Sequence, residues 1–508
     1  LLPVTDFDLK QDCRHVRWDR PCTPHKQRGK VCATCDEYAP VKHRILMVKL
    51  AATGDVLRTT SFLPAIHAQW PQAKVTWLTR PGAAALFAGN PLVDEVLTTD
   101  DAVTAARLAT ETFDVVLCPD ADPDAAVLAA MAKGKERRGY VRDNTGRVVP
   151  LGPGAQHWLA MGVSDTLKKQ NQSTYQQLVA AVLDLDPALV REPILEPSTA
   201  DHEAARAFVA GLTSKLPLVG LNTGAGGRWA YKIWTAEHQA TFLRLAADAG
   251  LAVLLLGGPE EVERHRALLE GARGLPVFDA GNHNSYGRFA ALIEQCRAIV
   301  TSDSLAVHVA AARKVPAIVL FGPTSAAEIE LYGRGTKIVP KDLECLCCYL
   351  PRCDRVPHCQ ALIDPTTVLA AVQHWVHAPR DARGDWPAPT AGGILPRMNG
   401  KFELKRTSDQ QFLFNLKAGN NEIILTSERY KVKDIAQAAI ESVRANASFD
   451  ERFERRTSTN KKPYFVLKSE SGDIIGTSEL YNTPAAMENG INSVKTNGAT
   501  PKLDDRTL

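Results

Sequence analysis

The sequence predicts a two-lobed α/β protein carrying a cysteine-rich arm ahead of the lobes and a small α+β module behind them. Three observations carry this reading. Short apolar runs alternate with amphipathic helical stretches twice over, across 41–200 and again across 215–376. That alternation is the pattern of parallel sheets with right-handed crossovers. Nine of the eleven cysteines fall in two clusters, and the segment 399–498 repeats itself with an offset of 51 residues.

The bulk numbers bound the class. A chain of 508 residues has room for about two to four domains. It is 45% hydrophobic and 23% charged, and no apolar run is long enough to span a bilayer. Its first residues, LLPVTDFDLKQDC, lack the charged-then-apolar order of a secretory signal. A net charge of +3 gives no case for nucleic-acid binding. One local basic run, KGKERRGYVR (133–142), reads as a solvated face that could also meet an anionic substrate, with Arg137 and Arg138 as its candidate contacts.

In the first lobe, ILMVKL (45–50), KVTWLT (74–79), DEVLTT (94–99) and FDVVLCP (113–119) read as strands. An Ala-rich helix over 121–132 and a helix-rich stretch over 173–184 accompany them. The first strand runs into the small-residue turn AATGD (51–55), which leaves Asp55 where the next helix begins. Asp there is either an N-cap or a reacting group, because ligands of open α/β sheets bind beyond the carboxyl ends of the strands. Lys49 and Arg58 flank it as candidate contacts for an acceptor. Asp120-x-Asp122 offers a D-x-D metal pattern, which reads more simply as a turn.

The second lobe begins at LPLVGLNTG (216–224) and continues through LAVLLLGGPEE, LPVFDAG, RAIVTSDS and PAIVLFGPT. Three strand ends draw attention. NTGAGGRWAYKIW (222–234) joins Gly224 to Arg228 and Lys232 before a helix, and backbone N–H groups of such a turn favour phosphate. Gly257 and Gly258 permit close approach of a ligand. Asp303 and Ser304 sit at a strand end with His308 one turn into the following helix. The Pro-, Gly- and Ala-rich stretch from 377 to 398 reads as a linker.

Taken in order and spacing, VKLAATGDVLRTTSFLPAI, NTGAGGRWAYKIW, LLLGGPEE and TSDSLAVHVAAARKVPAIVLFGPT resemble glycosyltransferase family 9, the ADP-heptose:lipopolysaccharide heptosyltransferases. The resemblance covers about 44–376. It implies a GT-B fold, an acceptor on the first lobe, a nucleotide-sugar donor on the second, and inverting transfer without a catalytic metal or cofactor. It implies Asp55 as general base, Lys232 at the donor phosphates and Asp303 on the donor sugar, with Ser304 and His308 in the same motif. One departure stands out: the family often has Gly where this chain has Leu305. The acceptor implied is an anionic surface glycan or glycolipid, and the location cytoplasmic with peripheral contact at the inner membrane. A protein acceptor and a non-catalytic nucleotide-sugar-binding scaffold are the alternatives.

The arm 1–40 places Cys13, Cys22, Cys32 and Cys35 in a pattern ending in C-x2-C, half of a tetrahedral thiolate site. Structural zinc is the first expectation, with iron, an iron–sulfur cluster or redox disulfides as alternatives. Cys345, Cys348, Cys353 and Cys359 offer a second possible cluster. In the tail, FELKRTSDQQFLFNLKAGNNEIILTSERY (402–430) matches FERRTSTNKKPYFVLKSESGDIIGTSELY (453–481), and both units resemble the YegP-like tandem-repeat family. The module holds no cluster of catalytic residue types, so it reads as an accessory or docking module for a protein partner.

Overall fold

Apolar runs without polar alternation form strands covered on both faces, as parallel sheets require. The computed structural model describes residues 9–226, 230–340, 343–378, 400–418, 422–447, 449–469, 471–498 and 502–507. Its chain divides into two compact units, at 388/389. The expected linker falls almost wholly outside the described residues.

The first unit contains two six-stranded sheets. One is built from β1 (His43–Val48), β2 (Ala73–Thr79), β3 (Glu95–Thr98), β4 (Thr112–Cys118), β5 (Lys133–Arg142) and β6 (Val148–Leu151), in the order β3-β2-β1-β4-β5-β6. The other uses β7 (Leu218–Asn222), β8 (Ala252–Leu256), β9 (Val277–Asp279), β10 (Ala298–Ser302), β11 (Ala317–Leu320) and β12 (Gly335–Ile338), in the order β12-β11-β10-β7-β8-β9. Both are the same doubly wound order, in which the chain reverses direction across the sheet between the first and fourth strands. A ligand crevice opens at that reversal, beyond the carboxyl ends of those strands. The reversal points are therefore β1/β4 and β7/β10.

Ile45, Leu46, Met47 and Val48 of β1 are all fully buried, as are Val253 to Leu256 of β8 within 1%. The basic run 133–142 is β5, with Lys133, Lys135, Glu136 and Arg142 exposed and Gly139 and Tyr140 buried. This strand pairs parallel with β4 and antiparallel with β6, so backbone ladders rather than apolar alternation hold it. The arm is tied to the first lobe by Arg14, which pairs with Asp94 at 2.6 Å and donates to the Ala73 carbonyl, while a bridge between Cys13 and Pro40 closes the arm on itself.

The second unit is a seven-stranded sheet of β13 (Lys401–Arg406), β14 (Phe412–Lys417), β15 (Ile423–Thr426), β16 (Phe453–Thr457), β17 (Pro463–Lys468), β18 (Ile474–Thr477) and β19 (Leu503–Arg506). The helices Lys433–Asn446 and Pro484–Asn497 pack on it. The two repeats meet at Thr426 opposite Thr477, equivalent positions of the 51-residue period. Their cores match by the same offset: Phe402, Phe414, Leu416, Ile440 and Val443 correspond to Phe453, Phe465, Leu467, Ile491 and Val494. Each repeat alone would leave one apolar sheet edge unpaired, and fusing them removes it. β19 lies beyond the repeat and covers β13 in parallel.

Candidate active site

At the first reversal point, β1 ends in Lys49 and β4 leads to Asp120. Lys49 Nζ lies 2.6 Å from Asp120 Oδ1 and donates to the Ala51 carbonyl at 2.8 Å. The ion pair thus straddles the two strands that part there. Lys49 is 3% exposed. Burial works against its charge, but Asp120, with Tyr175 and Asp55 behind it, raises its pKa. Asp122, the other acid of the D-x-D pattern, caps the helix Pro123–Met131 by accepting from Asp124 and Ala125 N–H. The two acids serve separate partners.

Asp55 is not an N-cap. Ala52 holds that position in the helix Thr53–Thr59, and Asp55 lies in its first turn with its side chain 36% exposed. Its Oδ1 pairs with Arg58 at 2.8 Å, and the Arg58 guanidinium lies 3.6 Å from the centre of the Tyr175 ring. Burial pushes the Asp55 carboxyl up; Arg58, then Lys49 and His308, outweigh it and bring it down to about 2.

The second reversal point is different in kind. Asn222, at the end of β7, donates to Gly224 O at 2.7 Å and to Ser304 Oγ at 3.3 Å. Ser304 caps the helix Leu305–Ala312. Beside it Lys232 Nζ meets Asp303 Oδ2 at 2.9 Å. Burial opposes the Asp303 charge, while Lys232 and a hydrogen bond from Thr324 hold the carboxyl below the usual range. A Cβ at Gly224 would lie 1.9 Å from Glu261 Oε1, so a larger residue there would push the Glu261 side chain aside. Glu261 in turn accepts from Gly258 N–H at 2.8 Å. Behind this cradle His265, 1% exposed, bridges Asp279 at 2.8 Å and Thr223 Oγ1 at 3.0 Å.

The lobes meet at these points. The helix Thr53–Thr59 packs on Leu305–Ala312, and a Cβ on Gly54 would lie 3.2 Å from the His308 ring and 3.5 Å from Leu305 Cα. Glycine there lets Asp55 come up against the second lobe. Burial, reinforced by Arg58, lowers His308 to about 4, so its imidazole is neutral at pH 7. A cavity of about 780 Å³ opens alongside, lined by Gly54, Asn222, Gly224, Gly257, Gly258, Ser304 and Leu305. Such a cleft, with a few polar groups and a glycine cradle, suits a phosphorylated ligand.

The fold thus gathers Asp55, Arg58, Lys232, Asp303, Ser304, His308, Gly224, Gly257 and Gly258 around one junction. Arg228 lies outside the described residues. Lys49 is paired with Asp120 and donates to the Ala51 carbonyl. Arg137 donates to the carbonyls of Ala129, Ala132 and Gly134, and Arg138 to those of Leu183 and Asp184. Arg138 also pairs with Glu136, so both guanidinium groups have protein partners around β5. Tyr175, Asp120, Thr324 and His265 join the site without a sequence signal that separates them from ordinary core residues, apart from Asp120 in its D-x-D pair.

Cys13, Cys22, Cys32 and Cys35 line one void of about 20 Å³. Burial raises Cys359 to about 11, with Cys353, Cys348 and Cys345 near enough to add to it. The thiols suit a thiophilic ion by type but not by arrangement: among the described residues no three of His, Cys, Asp or Glu are placed to hold a metal ion. No helix among the described residues is long and apolar enough to cross a membrane.

Comparison with known proteins follows this division. Residues 104–355 match the profile of glycosyltransferase family 9 (heptosyltransferase), a span that begins after Asp55 and includes Lys232, Asp303 and His308. The structure of a family 9 glycosyl transferase from Veillonella parvula is similar with a TM-score of 0.54 at 19% identity, covering 66% of this chain and 98% of that one. That likeness concerns the fold, a GT-B arrangement of two Rossmann-like lobes. Residues 408–454 and 458–505 each match a domain of unknown function, DUF1508. UPF0339 protein YegP of Escherichia coli is 50% identical over 110 residues, 22% of this chain and 100% of the relative. A UPF0339 protein of Shewanella oneidensis is 48% identical over the same length and shares. The chain therefore joins a segment that matches the glycosyltransferase family 9 profile to a C-terminal module through which it belongs to the UPF0339 (YegP) family.

Proposed function

We propose that the lobes carry out inverting transfer of a heptose-like sugar from a nucleoside diphosphate donor, ADP-heptose first, to a hydroxyl of a lipopolysaccharide core or related surface glycan. The observation that carries this reading is the meeting of the two strand-order reversals. An ionised carboxylate from one lobe stands against the glycine cradle, the Lys232–Asp303 pair and the neutral His308 of the other.

In this scheme the donor lies in the 780 Å³ cavity with its diphosphate at the Gly224 turn. Asp55 takes the proton of the acceptor hydroxyl, whose oxygen attacks the anomeric carbon from the face opposite the leaving group. A C–O bond forms, the bond to the diphosphate breaks, and the electron pair leaves with the phosphate. Lys232 and backbone N–H groups meet that charge, so the scheme assigns the transfer no metal. A carboxyl near pKa 2 is a weak base. Its contribution therefore comes from position: an acceptor hydroxyl entering beside it displaces water and shares Arg58. Asp303 holds a sugar hydroxyl, and neither cysteine cluster takes part.

Calorimetry with ADP, UDP, GDP, dTDP and ADP-heptose tests the reading, with Lys232→Ala alongside. Selective binding of adenine diphosphates, weakened in Lys232→Ala, supports it. Preference for another nucleotide overturns the donor, and no binding by any of the five overturns the transferase reading itself.

A further inference from the structure

A second cavity, of about 170 Å³, opens where the lobes meet. Trp158, Leu159, Met161 and Lys168 line it from the first lobe, Glu328 and Tyr349 from the second. It shares no lining residue with the larger cavity. Contacts nevertheless link it to the reacting carboxylate. The Trp158 ring meets Tyr175 edge-on with centroids 6.1 Å apart, and Tyr175 carries the guanidinium of Arg58, which holds Asp55. Tyr175 N–H also donates to the Glu328 carbonyl at 3.0 Å.

The wall is aromatic and aliphatic, and its two polar ends differ in character. Glu328 accepts from Tyr349 Oη at 3.3 Å, and burial raises its pKa. The Lys168 ammonium sits 4.2 Å from the centre of the Tyr349 ring. An acyl chain placed here would strip water from both polar groups and return no hydrogen bond, which is costly. A hydroxylated ring has an apolar C–H face and a rim of donors and acceptors that satisfies both.

We propose that this cavity is an acceptor subsite holding one pyranose ring of the glycan, its C–H face on Trp158 and its hydroxyls on Glu328 and Lys168. The inference deepens the transferase reading and rests on it for the word acceptor. Because both lobes contribute lining residues, the subsite is complete only while the lobes are together.

Saturation-transfer NMR on the full chain with a panel of methyl pyranosides tests this, with ADP calorimetry on the same samples. Wild-type protein should transfer saturation to at least one pyranoside. Trp158→Ala and Glu328→Gln should weaken that binding about three- to tenfold, and Trp158→Phe should keep it. ADP affinity should stay within about twofold in all three, as for sites without shared partners. ADP binding without pyranoside transfer, or transfer equal in every variant, overturns the subsite. Trp158-dependent pyranoside transfer without ADP binding would instead overturn the transferase reading and leave a sugar site.

Discussion

The two lobes share a strand order and differ in what they place where it reverses. In the first lobe the parting strands are bridged by a buried ion pair, Lys49 with Asp120, and the turn beyond carries Asp55 clamped by Arg58. In the second they are bridged by neutral groups, Asn222 with Ser304, around a turn in which Gly224 packs directly against the Glu261 side chain. One fold therefore offers two electrostatic environments. Fixed charge beside a small turn suits proton transfer; neutral donors and exposed backbone N–H suit a diphosphate that brings its own charge. Lys232 and Asp303, which bring charge to the second reversal, are held to each other.

The comparison breaks most visibly if each lobe is stripped of its defining feature. Asp55→Asn should lower turnover about 10²- to 10⁴-fold with nucleotide affinity unchanged. Gly224→Ala should do the reverse, raising the nucleotide Kd about tenfold, because the new methyl displaces Glu261 from Gly258 N–H. Steady-state kinetics with calorimetry separates the two, and equal loss of both properties in either variant would dissolve the contrast.

Next in size is the bridge itself. Lys49→Met leaves Asp120 without its buried partner and should cost about 3–5 kcal/mol in chemical denaturation. Lys49→Met with Asp120→Asn should recover most of that, since the two effects are coupled. Stability unchanged in the single variant would show that the pair does not organise the first reversal.

pH sharpens the same contrast. His308 has its pKa lowered to about 4, so the unfolded chain binds a proton more readily than the folded one between the ordinary imidazole value and about 4. Its contribution to stability is present above the ordinary value and lost as pH falls toward 4. Asp55, lowered to about 2, follows the same sign at lower pH: its contribution holds above the ordinary carboxyl value and is lost as pH falls through about 2. Turnover should therefore be flat from about pH 5 to 8, fall below about pH 4 as His308 takes up its proton, and fall again near pH 2 as Asp55 does. Arg58→Met removes a charge that holds both groups down and should move both limbs upward; unmoved limbs would detach both groups from the rate.

The smallest effect concerns the first lobe's turn chemistry. Asp122→Ala should cost about 0.5–2 kcal/mol through loss of the helix cap, leaving turnover unchanged. A large loss of turnover restored by a divalent cation would instead revive the D-x-D pattern as a metal site.

Much of this was legible along the chain because it is local. The apolar strands, the glycine turns at 224 and 257–258, and the 51-residue repeat depend on neighbours in sequence. Asp55 was visible as an acid at a strand end, since the end of β1 is where a crevice opens. That the basic run 133–142 is a strand was not legible, because β5 is held by backbone pairing to β4 and β6, which leaves no apolar alternation to see. Arg137 and Arg138 look like substrate contacts in sequence and prove to satisfy carbonyls, a choice that depends on which backbone groups lack partners nearby.

The sequence alone thus determined the strands, the turns and the candidate acids. Only the tertiary structure decided which charges meet. Asp120 reaches Lys49 across 71 positions and Tyr175 brings the lobe junction to Arg58. His308 closes on Gly54 from the other lobe. The electrostatics that set Asp55 and His308 arise from these long-range approaches, and distance in space fixes a charge's effect where distance in sequence does not.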